Sequence, residues 1–78
     1  METTKEALDI IKKEFGIDNI TILNNTSYCL SVNIEYNYSK YILTYNPYDG
    51  ECYVTPYIVS TDYFFHMLKD AINFIKLN

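Results

Sequence analysis

The groups in this 78-residue chain that could do chemistry are few: one histidine, His66, two cysteines, Cys29 and Cys52, and ten carboxylates scattered along its length. A catalytic site needs a nucleophile or an acid–base pair converging with groups that stabilise developing charge. His66 falls on a polar stripe with Asp62, Lys69, Asp70, Asn73 and Lys76 at helical spacing, and no second histidine or cysteine stands at metal-ligand distance along the sequence. Nucleophilic catalysis by Cys29 would require a base, and the only histidine belongs to a helix expected on the other face of the sheet from Cys29. Gly16 and Gly50 are far apart and suit a helix end and a turn, so no phosphate-cradling loop is formed. The expectation is a non-enzymatic protein with no cofactor and no metal, whose function lies in binding.

Charge and composition narrow what it could bind. The net charge of -4 and the dispersal of six lysines in runs no longer than two argue against direct nucleic-acid binding, which draws on a basic patch. Nine tyrosines and no tryptophan mean that much of the apolar surface is built from rings carrying a hydroxyl that needs water or a partner. No segment approaches the ~20 apolar residues of a membrane span. Met1 is followed by Glu2, Thr3 and Thr4 where a secretory leader would be basic and then apolar, so a cytoplasmic location is expected. In that compartment Cys29 and Cys52 are expected as free thiols, the more so because strand alternation points them to opposite faces.

The elements that must position these groups are organised around Tyr28–Tyr57. Tyr28, Leu30, Val32, Ile34, Tyr36 and Tyr38 alternate with polar or small residues, the period of a half-buried strand. A turn at Ser39-Lys40 would set Tyr36 opposite Leu43 and Ile34 opposite Tyr45. A second loop, Pro47-Tyr48-Asp49-Gly50, would set Tyr45 opposite Cys52 and Leu43 opposite Val54. The inward set is then Tyr28, Leu30, Val32, Ile34, Tyr36, Leu43, Tyr45, Cys52 and Val54. The opposite face carries Cys29, Ser31, Asn33, Glu35, Ile42, Thr44, Tyr53, Thr55 and Tyr57. Ile17–Leu23 reads as a further strand, joined through a three-residue loop that brings Ile20 and Ile22 inward.

Before the strands, Thr3-x-x-Glu6 has capping-box spacing, Thr4, Ala7, Leu8, Ile11 and Phe15 share one helical face, and Gly16 ends the helix. Ile10 is the exception, projecting away from that face between Glu6 and Glu14. After the strands, Ser60, Thr61 and Asp62 offer caps for a last helix running through Ile75, whose apolar arc is nearly twice the ~100° of an ordinary surface helix. The predicted fold is a single α+β domain, 1–78: a four-stranded antiparallel meander with both helices on one face.

Two surfaces follow as candidates. On the helix-free sheet face, Glu35, Ile42, Tyr53 and Tyr57, with Tyr48 on the adjoining loop, make an aromatic, acidic binding surface for a protein partner. On the last helix, Tyr63, Met67 and Phe74 flank the apolar arc and suit a homodimer seam. An acidic aromatic surface without catalytic groups fits a phage or mobile-element inhibitor of the anti-defence or anti-CRISPR type, which blocks a bacterial nucleic-acid-handling protein by stoichiometric binding. The alternative is a housekeeping bacterial homodimer or a small subunit of a larger complex.

Overall fold

A computed structural model describes all residues from Met1 to Asn78. The first helix, α1, spans Thr4–Phe15 and is closed at its start by the capping box: Thr3 Oγ1 accepts from the Glu6 N–H at 3.1 Å, and the Glu6 carboxylate accepts from the Thr3 N–H at 2.8 Å. The bond from the Thr3 backbone, and then that from its side chain, hold the Glu6 carboxyl below its ordinary range. Thr4, Ala7, Leu8, Ile11 and Phe15 are the buried face, as the spacing requires. At the other end Gly16 takes φ 88 and donates its N–H to the Lys12 carbonyl, which ends the helix where a side chain would be strained.

After a 3-10 turn at Ile17–Asn19 come five strands, β1 (Ile20–Asn25), β2 (Leu30–Tyr36), β3 (Ser39–Tyr45), β4 (Cys52–Pro56) and β5 (Tyr63–Phe65), then α2 (Leu68–Leu77). The sheet is an antiparallel meander in the order β1-β2-β3-β4-β5. Both helices pack on one face, where Ala7, Leu8, Ile11 and Phe15 of α1 and Leu68, Ala71, Ile72 and Ile75 of α2 join the inward residues of β2, β3 and β4 in one core. Each fully buried Leu, Ile or Val in that layer contributes on the order of 1.5–3 kcal/mol of hydrophobic stabilisation. The helices are clipped together at the rim by an ion pair between Lys76 and Glu14, and Lys76 Nζ also lies 5.7 Å from the centre of the Phe15 ring. No helix is long and apolar enough to cross a membrane.

The α+β architecture agrees with expectation, but the strand count and several local assignments do not; the first strand, expected at Ile17–Leu23, runs from Ile20 to Asn25. Tyr63–Phe65 is an edge strand and not the first turn of the last helix: Phe65 pairs with Cys52, Phe64 with Tyr53 and Tyr63 with Val54. Three consecutive aromatic residues favour a pleated strand, and here they alternate, with Tyr63 and Phe65 on the core side against Phe74 (4.9 and 5.2 Å between rings) and Phe64 on the other face. Asp62 does not cap a helix; it accepts a hydrogen bond from the Thr55 hydroxyl and ties the loop to β4. The helix itself starts after Met67, which makes no side-chain cap bond.

The β2–β3 turn falls at Asn37-Tyr38, both with positive φ (52 and 66), and not at Ser39-Lys40. This is the two-residue turn whose twist matches that of its strands. Leu43 therefore faces Val32 rather than Tyr36, and Tyr45 faces Leu30 rather than Ile34. The turn moves by two residues and each cross-strand partner by four, an even shift, so every side chain keeps its face. The β3–β4 pairs Tyr45/Cys52 and Leu43/Val54 are as expected.

Tyr28, expected to point inward, is exposed because β2 begins only at Leu30. Thr26 closes the four-residue β1–β2 loop, its hydroxyl accepting from the N–H groups of Tyr28 and Cys29 at 3.1 Å each. Ile20 and Ile22 stand opposite the inward Ile34 and Val32, but a bulge at Leu23 and the edge position leave Ile22 largely exposed.

Candidate binding face

The face turned away from the helices is assembled by the register. Asn33, Ile42 and Thr55 form one row across β2, β3 and β4, and Ser31, Thr44, Tyr53 and Phe64 form the next, extending onto β5. Ser31 and Thr44 hydroxyls meet at 3.1 Å, which uses up polar groups in the middle of the sheet. Beside them Tyr53 packs on Phe64 with ring centres 5.3 Å apart, and the His66 ring stands edge-on to Phe64 at 4.9 Å. Tyr53 and Phe64 remain 47% and 42% exposed, so two large rings that already support each other still present surface to solvent. Ile42 is half-buried at the centre, and Asn33 Oδ1 next to it is shielded from solvent without a hydrogen-bond partner.

Of the five residues expected to bind, Ile42 and Tyr53 therefore lie together. Glu35 and Tyr57 sit at one end: Glu35 stands opposite Lys40, and the Tyr57 N–H donates to the Lys40 carbonyl at 3.0 Å, continuing the β3–β4 register past Pro56. Tyr48 is at the opposite end, on the β3–β4 loop, stacked on Tyr28 with centres 6.1 Å apart. Phe64 and Tyr28 are the members that sequence reasoning missed. The signal for Phe64 was the aromatic triplet, which fits a strand as well as it fits a helix; for Tyr28 it was the Asn-Asn-Thr-Ser run before it, which marks a loop that extends further than the alternation suggests.

The trio Tyr63, Met67 and Phe74 is not one surface. Tyr63 and Phe74 pack on each other within the chain, whereas Met67 lines a groove of about 580 Å³ between the helices, with Ile10, Glu14, Ile72 and His66 among its walls. The wide apolar arc ascribed to one helix is in fact divided between β5 and α2. Ile10, which projects away from the α1 core face, finds its neighbours in this groove.

The titratable groups are separated in the same way. Cys29 is half-buried and Cys52 fully buried, and no disulfide joins them. Burial first, and the charges of Glu2 and Asp49 after it, push the Cys52 thiol up to about 12, so it stays protonated at neutral pH. His66 Nδ1 lies 3.9 Å from Glu51 Oε2. The Glu51 carboxyl is raised by partial burial and then by the neighbouring Asp49 carboxylate, with His66 acting against both. Comparison with protein-family models, curated proteins and solved structures gives no match to this chain.

Proposed function

We propose that this chain is a non-enzymatic protein-binding domain whose docking surface is the helix-free face of its sheet. The observation that carries this is the asymmetry of the sheet: one face is sealed by both helices, while the other holds the Tyr53–Phe64 pair and Ile42 with no element of the chain over them. A preformed aromatic pair on paired strands offers contact area at little entropic cost, which is what binding hot spots use.

Charge suggests the kind of partner. Between Ile20 and Met67 stand four carboxylates, Glu35, Asp49, Glu51 and Asp62, against the single Lys40, whereas the other five lysines lie on α1 and α2. An aromatic face in an acidic sheet complements a basic groove of the kind that holds nucleic acid. The corresponding role is that of a stoichiometric inhibitor, of the phage or mobile-element anti-defence type, acting on a nucleic-acid-handling protein. The test is affinity capture from a bacterial extract with immobilised wild type and with the Tyr53→Ala/Phe64→Ala double variant. The expected result is a basic partner held by the wild type in equimolar amount and lost with the variant, whose circular dichroism is unchanged. Equal capture of that partner by both proteins would remove the sheet face as the binding surface.

A further inference from the structure

We propose that β1 is a homodimer seam, along which two copies of this chain pair edge to edge and antiparallel into one continuous sheet. β1 is the outermost strand on its side, and the backbone groups of Thr21–Asn25 are hydrogen-bonded only toward β2. Strand edges are ordinarily guarded by a lysine, a proline, a bulge, extreme shortness or a covering segment, and of these β1 has only the bulge. The opposite edge is guarded by shortness, since β5 has three residues and its approach is tied down by the Asp62–Thr55 hydrogen bond. β1 has six residues, ITILNN, with neither lysine nor proline among them, and its Ile22 and Leu23 are 45% and 52% exposed. Its one irregularity is the bulge at Leu23, which restricts the registers in which a further strand can pair.

Charge identifies the occupant as a second copy. The chain carries -4 overall, so two copies repel unless they meet where charge is absent. From Asn19 to Ile34 there is no ionisable acid or base except the Cys29 thiol and the Tyr28 phenol, and that run comprises β1, its loop and most of β2, the strand behind it. Two copies of this neutral edge, ITILNN, therefore meet without bringing like charges together. Antiparallel pairing of identical strands places the twofold axis perpendicular to the sheet. Both helix layers then fall on one side, and the two Tyr53–Phe64 pairs lie on the other, at the two far ends of the joined sheet. This inference does not depend on the identity of any partner.

Sedimentation and amide hydrogen exchange of the whole chain test it. The wild type is expected to reach twice its 9.2 kDa mass at high concentration, and the Thr21–Asn25 amides are expected to gain protection as concentration rises. Leu23→Lys should weaken dimerisation by roughly tenfold or more, while Met67→Lys, in the groove between the helices, leaves it unchanged. Because the exchange measurement uses the unaltered protein, it decides the matter even if Leu23→Lys fails to fold. A wild type that stays monomeric at about 1 mM, a dimer without new protection in β1, or a dimer broken by Met67→Lys would each overturn the proposal.

Discussion

Tyr45 shows how a single residue serves two layers at once. Its ring is fully buried between β3 and the helices, and its hydroxyl donates to the Glu2 carbonyl at 2.6 Å, fastening the segment that leads into α1. Tyr45→Phe is expected to cost about 1 kcal/mol, the net value of one hydrogen bond, and Tyr45→Ala about 3–5 kcal/mol for loss of a core aromatic. Urea titration separates the two. Cys52 supplies a pH test. Its folded value is raised from 9.0 to about 12, so the folded chain keeps a proton that the unfolded chain releases. The associated stability is complete below pH 9.0 and is lost as pH climbs toward 12. Cys52→Ala should flatten the fall of stability across that window. The inward direction of both residues was legible from alternation, which survives any even shift of register; the reach of the Tyr45 hydroxyl to Glu2 was not, because it joins positions far apart in the chain.

Among the elements, α1 was legible because every local signal agreed: capping box, apolar stripe and terminal glycine all mark the same boundaries. The β2–β3 hairpin was misplaced because tyrosine alternation runs on through Tyr38, beyond the end of the strand, and outweighed Asn37, the residue suited to positive φ. Tyr38 is fully exposed and holds φ 66 without a side-chain hydrogen bond to favour it. Tyr38→Gly should therefore stabilise the protein by about 0.5–1 kcal/mol, read as a higher urea midpoint, since glycine takes this conformation without strain. The boundary between β5 and α2 was hidden for a different reason. Helical periodicity extends back through Tyr63–Phe65, and the cap-forming residues before them belong to a loop, while the true helix start has no side-chain cap to announce it. Phe74 bridges the two elements through Tyr63 and Phe65. Phe74→Ala is expected to lower stability by about 2–3 kcal/mol, somewhat less than for a fully buried ring, as measured by denaturant unfolding.

At the scale of the whole molecule, the helix layer closes one side of a five-stranded sheet and leaves the other side as the broadest surface built on paired strands. The outward residues of β2, β3 and β4 were assigned to that surface from parity alone; Phe64 could enter only once β5 was in place. Acidity acts at this scale too. Reversal of Glu35 to Lys is expected to slow association with a basic partner and reduce its salt dependence, with a smaller effect on dissociation, as stopped-flow kinetics can resolve. The most direct measurement is the equilibrium affinity of a purified partner for Tyr53→Ala and for Phe64→Ala, taken beside the urea stability of each variant. If the helix-free face is the docking surface, each change weakens binding by about 1–2 kcal/mol or more while stability moves by no more than about 1 kcal/mol, the scale of one exposed aromatic pair. Unchanged affinity for both variants, with the fold intact, would contradict it.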